Sequence, residues 1–244
     1  MATLQCGKVQ FPDIQAVLFD KDGTLADSQF YLRQLSYARS RLIEAQHPGI
    51  QDNLLLAFGV SGNSVNPAGL MAVGTRQENV IAAAAYVTAW GKGWLDSLNL
   101  VQAAFTRADA QMPAKASATP LFEGAYELLS ALHQADVRVG ILSSDTTQNV
   151  KAFVEGYHLE SLVQLQLGAD DRFTKPDPAL LSYACQLLDV LPDRSLVIGD
   201  SKADIEMARS AGLASVGVTW GWNGDFDLGQ PDVQVQYWHQ ICIV

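Results

Sequence analysis

The chain has 244 residues, 48% of them hydrophobic and 17% charged, enough for one large or two modest globular domains with an apolar core and no disulfide or metal staples. Acidic residues outnumber basic ones 26 to 16, giving a formal net charge of −10. That balance disfavours nonspecific attraction to nucleic acid or anionic membrane, yet leaves room for a local cationic pocket.

The chain begins without a basic start followed by an apolar block, so no secretory signal is expected. Ile14 to Asp20 is a short apolar run ending in an acid and reads as a buried strand. Asp20-Lys21-Asp22-Gly23-Thr24 breaks that pattern. Ser28 then serves as an expected N-cap for a helix from Gln29 to Gln46, ended by His47-Pro48-Gly49. From Asn53 to Gln111 there is no strand alternation. Leu54–Phe58, Gln77–Trp90 and Trp94–Gln111 read as helices, and Trp90, Trp94 and Phe105 as their core. The uncharged run from Asn53 to Thr75 carries Pro67 and four glycines and is a poor membrane span. Met112 to Pro120 reads as a linker.

Beyond the linker, helices and strands alternate. Ala125–Gln134, Thr147–Tyr157, Pro178–Leu188 and Lys202–Ala211 read as helices, the last stopped by Gly212. Val137–Ser143, Val163–Leu167, Ser195–Asp200, Ala214–Val218 and Val233–Tyr237 read as strands. This rhythm predicts an α/β fold, a Rossmann-like parallel sheet with helices on both faces. The expected organisation is a core of residues 1–27 and 118–244 with an inserted α-helical domain over 28–117. The insert follows the first strand's loop, so it is expected over the carboxyl ends of the strands, where such sheets bind ligands. Cys6, Cys185 and Cys242 lack metal or disulfide spacing and are expected as free thiols in the cytoplasm, with Cys185 in the core.

Four features fall at expected strand ends: Asp20-x-Asp22-Gly23-Thr24, Ser143-Ser144-Asp145, Lys175-Pro176, and Gly199-Asp200-Ser201 with Asp204. Their types suit one task. Asp20, Asp22 and Asp200 are hard oxygen donors of the kind magnesium takes beside a substrate phosphate. Lys175 and Ser143 are donors to anionic oxygen, Gly23 allows close approach of backbone amides, and a helix starting near Thr146 aims its positive end at the same anion. Such a set describes phosphoryl transfer, in which positioning and charge neutralisation do most of the work.

Phe19-Asp20-Lys21-Asp22-Gly23-Thr24-Leu25 resembles the first motif of the haloacid dehalogenase-like superfamily, and Ser143, Lys175 and Gly199-Asp200 with Asp204 match its second, third and fourth motifs in order. The resemblance covers residues 1–27 and 118–220, and the insert is similar in position and helicity to a small helical cap. It implies Asp20 as nucleophile, taking the phosphoryl group, and Asp22 as general acid, then base, with its carbonyl on magnesium. Asp200 is implied as a metal carboxylate, with Asp204 in support. Ser143, Ser144, Lys175 and the amides of Asp22 and Gly23 are implied as the phosphate cradle. The implied cofactor is Mg2+. The implied partner is a small phosphorylated metabolite, with no nucleic acid or membrane, and the chain is expected as monomer or homodimer. The cap is expected to close during the first step and open for release.

Among members, the architecture is most similar to phosphoglycolate phosphatases. Asp22 stands where related dehalogenases lack an acid, which favours phosphate esters over carbon–halogen bonds. A phosphomutase of the β-phosphoglucomutase type wants an early cap histidine, and Tyr31, Leu32 and Arg33 supply none. A Schiff-base lysine for phosphonate cleavage has only Lys92 as candidate, with nothing nearby to activate it. A non-catalytic binding protein on the same fold is the remaining alternative. Two residues depart from the pattern: Lys21 stands where an apolar residue is usual, and Asp145 where asparagine is more usual, read as an N-cap acid for the following helix. His47, His133, His158 and His239 lack ligand spacing, and Arg33, Arg39, Arg41, Arg76 and Arg107 read mostly as surface charges of the insert. Trp220 and Trp222 are expected at the site's mouth or packed against the cap.

Overall fold

The computed structural model describes residues 2–224 and 226–244. The elements in chain order are β1 (Ala2–Cys6), β2 (Val9–Ile14), β3 (Ala16–Phe19), α1 (Gln29–Glu44), α2 (Gln51–Phe58), β4 (Val60–Ser61), β5 (Ser64–Val65), α3 (Leu70–Val73), α4 (Arg76–Ala89), α5 (Trp94–Gln111), α6 (Lys115–Ala118) and α7 (Ala125–Gln134). They continue as β6 (Arg138–Leu142), α8 (Thr147–Gly156), β7 (Leu165–Leu167), α9 (Ala179–Leu188), β8 (Ser195–Gly199), α10 (Lys202–Ala211), β9 (Ala214–Val218), β10 (Val233–Val235) and β11 (Ile241–Ile243). The chain divides into two compact units, Met1–Ser28 with Thr119–Val244, and Gln29–Ala118.

The first unit is built on a six-stranded parallel sheet in the order β10-β9-β8-β3-β6-β7. All four residues of β3 and all five of β8 are buried, which is why these strands read as continuous apolar runs rather than alternations. From β3 the chain builds outward through β6 and β7, then returns to the other side for β8, β9 and β10. The crevice between β3 and β8 is therefore a topological switch point, the place where open α/β sheets hold ligands. On one face Leu18, Leu142, Leu167, Leu181, Cys185, Val197 and Met207 share a core.

Three local devices set the helices that follow the strands. Thr146 caps α8 by accepting from the Asn149 amide at 3.2 Å, so the N-cap is Thr146 and not Asp145. Ser201 and Asp204 form a reciprocal capping box on α10, and Gly212 ends that helix in the left-handed region at φ 75°. Gly199 lets the first turn of α10 lie against the end of β8, since a Cβ there would stand 2.6 Å from the side chain of Asp204.

The sequence reading missed a second sheet in this unit. The β1–β2 hairpin turns at Gly7, and β11 pairs with β1 to give an antiparallel sheet in the order β11-β1-β2.

The second unit is helical. Phe58 of α2 meets Phe105 of α5 edge to face, with ring centroids 6.1 Å apart. Contrary to expectation, the stretch from Asn53 to Gln111 holds a small hairpin, β4 with β5. Phe105 is buried as expected, but Trp90 and Trp94 are 47% and 45% exposed. Arg39 is not a surface charge. It is buried over the Phe105 ring and bonds Asp109 at 2.9 Å, while Arg76 takes the other Asp109 oxygen at 3.0 Å. Ser28, read as an N-cap, gives its hydroxyl to Asp22. Among the described residues no helix is long and apolar enough to cross a membrane.

Candidate active site

Parallel strands end on the same edge, so the residues that follow them meet there. Asp20 follows β3 and its amide donates to the Ile198 carbonyl of β8 at 2.9 Å. Ser143 follows β6, and Asp200 follows β8. Asp204 stands in the first turn of α10. Lys175 comes from the loop between β7 and α9, and its bond to Pro176 is cis.

Lys175 is the centre of the cluster. Its Nζ lies 2.5 Å from Asp20 Oδ1 and 2.6 Å from Asp204 Oδ1. The other oxygen of Asp204 accepts from the Ser201 hydroxyl at 2.5 Å and from the Ser201 amide at 3.2 Å. One residue thus caps α10 and anchors the lysine. Asp200 Oδ1 accepts from the Thr24 hydroxyl at 2.7 Å, and Oδ2 accepts from the indole N–H of Trp222. Asp20, Asp200 and Asp204 each present a carboxylate oxygen within 4.8 Å of the others'.

These groups are buried, and the electrostatics follow from that. Burial raises the Asp20 carboxyl to about 6, with Lys175 pulling it down and Asp204 and Asp22 pushing it up. Burial likewise lifts Asp200 well above the ordinary carboxylate range, reinforced by Asp20 and Asp204, against the hydrogen bonds from Trp222 and Thr24. Burial works against the Lys175 ammonium, but Asp20 and Asp204 outweigh it and hold this lysine above its usual value. The cluster is a set of carboxylates with less positive charge than it needs.

Around it, Ser143 is buried, and its oxygen accepts from the Asp145 amide at 3.1 Å, which leaves the hydroxyl proton to donate outward. Ser144 is half-buried beside it. Asp22 is held through both oxygens, by the Ser28 hydroxyl on one and by Lys21 Nζ at 2.7 Å on the other. The expected phosphate-facing amide of Gly23 instead donates to the Ala26 carbonyl at 2.9 Å. Gly23 contributes room: at φ 93°, a Cβ would fall 2.5 Å from Asp200 Oδ2 and 2.7 Å from Trp222 Nε1. Trp222 is the polar partner that sequence reasoning did not assign. The only signal for it was an indole two residues after another, beyond the strand that follows α10.

The family model described as haloacid dehalogenase-like hydrolase matches residues 14–212. The chain belongs to that family. The phosphoglycolate phosphatase of Escherichia coli strain K12 is 29% identical over 237 residues, covering 93% of this chain and 90% of that enzyme. The phosphoglycolate phosphatase of Salmonella typhimurium is 34% identical over 118 residues, 47% of each chain. Among solved structures, a predicted phosphoglycolate phosphatase from Haemophilus somnus 129PT superposes with a TM-score of 0.67 at 21% identity, covering 91% of this chain and 94% of that one. CbbY from Rhodobacter sphaeroides, solved with phosphate, does so with a TM-score of 0.57 at 18% identity, covering 92% and 95%. At these identities the two structures establish the fold.

Proposed function

We propose that this member of the family is a magnesium-dependent phosphatase that hydrolyses a small phosphomonoester, phosphoglycolate or a sugar phosphate in kind, through an aspartyl-phosphate on Asp20. The observation that carries the reading is the placement of Lys175 against both Asp20 and Asp204, at the switch point of the sheet and beside Asp200. The phosphoglycolate phosphatases that match most of this chain support the substrate class.

The donor set fits the metal. Three buried carboxylates within 4.8 Å of one another meet a single ammonium, and the donors are hard oxygens of the kind Mg2+ prefers. Asp20 and Asp200, with the carbonyl of Asp22, would hold the ion, and Asp204 would support them through Lys175. When bound, magnesium supplies positive charge opposite the oxygens of the transferring phosphoryl group.

In the first step a carboxylate oxygen of Asp20 attacks phosphorus, and the bond from phosphorus to the ester oxygen breaks. Asp22 gives its proton to that oxygen, which leaves as the alcohol. In the second step Asp22, now a carboxylate, takes a proton from water as the water attacks the same phosphorus. The Asp20 carboxylate leaves and inorganic phosphate is released. Lys175 keeps Asp20 oriented and offsets negative charge as it builds on the phosphoryl group, and Ser143 donates its hydroxyl proton to a phosphoryl oxygen. We place this activity in the cytoplasm, a reading that the free thiols of Cys6, Cys185 and Cys242 support.

Hydrolysis of para-nitrophenyl phosphate and of a panel of alkyl phosphates, with magnesium and with EDTA, tests the proposal. Asp20→Asn should lose about four orders of magnitude in kcat while remaining folded by circular dichroism. An Asp20→Asn variant that keeps its turnover would remove Asp20 as nucleophile, and turnover indifferent to EDTA would remove the metal.

A further inference from the structure

Lys21 and Asp145, from the loops after β3 and β6, meet in the folded protein. Lys21 lies between Asp20 and Asp22, and its side chain is 1% exposed, among the largest fully buried side chains of the chain. An ammonium taken that far out of water costs several kcal/mol unless it is paired. Its partners come from two separate loops. Lys21 Nζ lies 2.7 Å from Asp22 Oδ2 and 3.4 Å from Asp145 Oδ2, with the Phe153 ring centroid 5.8 Å away.

Both ends of this bridge are tied down. The carbonyl of Lys21 accepts from the amides of Leu25 and Ala26 at 2.9 and 2.8 Å, so its backbone is part of the tight turn after β3. Asp145 uses its other oxygen to accept from the Thr146 amide at 2.8 Å and from the Asn149 side chain at 2.7 Å, while its own amide donates to Ser143 Oγ at 3.1 Å. The lysine therefore runs from the start of α8 to the carboxylate of Asp22, and the phosphate-facing Ser143 hangs on the same anchor.

We propose that Lys21, held by Asp145, is a positioning residue that fixes the carboxylate of Asp22 for proton transfer, and that the pair joins the loop after β3 to the loop after β6 as one unit. An apolar residue would fill the same space without the desolvation cost, so filling space alone does not account for a lysine here. Lys21 has its charge directed at two carboxylates and lies out of reach of solvent, so it acts through Asp22 and not on the substrate. When Asp22 carries the proton it is to give, Asp145 remains as the counter-ion of the buried ammonium, 3.4 Å away. Without Asp145 the lysine would lose the partner that holds it between the loops.

The proposal rests on the phosphatase reading, with Asp22 as the acid that protonates the leaving oxygen. That role separates two kinds of ester. An alkoxide leaving group needs the proton as its bond breaks, whereas para-nitrophenolate leaves well without it. A misplaced Asp22 should therefore harm one substrate far more than the other, while a simple loss of folded protein harms both alike.

The experiment compares kcat/KM on an alkyl phosphomonoester and on para-nitrophenyl phosphate, with magnesium, for wild type, Lys21→Met and Lys21→Met/Asp145→Asn. Lys21→Met should lower the alkyl rate about 10- to 100-fold, the order of loss expected of a misplaced catalytic group, and the aryl rate less than about threefold. The double variant removes the carboxylate that Lys21→Met would strand, so it should recover melting temperature and still show the leaving-group-dependent loss. Equal losses on the two esters in the double variant, or an alkyl rate within about threefold of wild type, would overturn the proposal. A wild type that turns over neither ester would overturn the phosphatase reading and this inference with it.

Discussion

Lys175→Met tests the electrostatic reading of the site without relying on turnover. Among the described residues Lys175 is the cation in contact with both Asp20 and Asp204. Asp20 stands at about 6 with that lysine in place, against an ordinary value of 3.8. A carboxyl raised in the folded state costs stability as pH rises from its unfolded value through its folded value, and costs nothing further above that. In wild type that cost is therefore about 3 kcal/mol near pH 7.5 and roughly half that near pH 5, at roughly 1.36 kcal/mol per pH unit.

Without Lys175 the group takes up a proton rather than stay charged, which caps its cost at about 5 kcal/mol near pH 7.5 and leaves it almost as in wild type at about pH 5. Asp20 alone then contributes about 2 kcal/mol of extra loss at the higher pH and almost none at the lower. Adding the stranded Asp204, the total loss near pH 7.5 should be about 3–5 kcal/mol, the range for breaking a buried pair from one side. For a chain of this size that corresponds to a fall in Tm of roughly 6–20 °C, shrinking by about 4–8 °C near pH 5. Thermal unfolding by circular dichroism in EDTA at both pH values reads it. A loss of the same size at both would show that Lys175 is not balancing a titrating carboxylate cluster.

Three further outcomes follow from the same geometry. If Asp20 and Asp200 hold the proposed magnesium, its binding displaces their protons, so the Tm gained at a fixed concentration a hundredfold over the Kd at pH 8, about 5–10 °C there, should be clearly smaller near pH 5; an equal gain at both would place the ion elsewhere. Gly23→Ala forces a Cβ into Asp200 and Trp222 at a positive φ, and should cost about 1–3 kcal/mol in urea unfolding together with weakened magnesium dependence. An unchanged midpoint would mean the turn relaxes freely. Trp222→Phe removes the indole donor to Asp200 and should weaken magnesium affinity about 10- to 100-fold by calorimetric titration. Unaltered affinity would leave Trp222 a packing residue.

The local pattern of the chain carried its elements well. Helix α10 and strand β9 have the bounds that periodicity and Gly212 indicate. The parallel arrangement follows from alternating strands and helices, and in a parallel sheet the residues after each strand share one edge. That is why Asp20, Ser143, Asp200 and Lys175 are legible together, far apart though they lie along the chain. What escaped is what local pattern does not encode. Strands β4 and β5 have two residues each, too few to show a period. Strand β1 finds its second neighbour in β11, at the opposite end of the chain. Trp222 is an aromatic among several until packing brings its N–H to Asp200.

Sequence alone determined which side chains are available to the site and at which strand ends they stand, because hydrophobic period and turn chemistry are local properties. Only the tertiary structure decided who pairs with whom. Lys21 between Asp22 and Asp145, Lys175 between Asp20 and Asp204, and the Gly23 amide turned to Ala26 are choices of partner. A buried charge or donor takes the partner that packing brings within hydrogen-bonding distance, and that distance is a property of the whole fold.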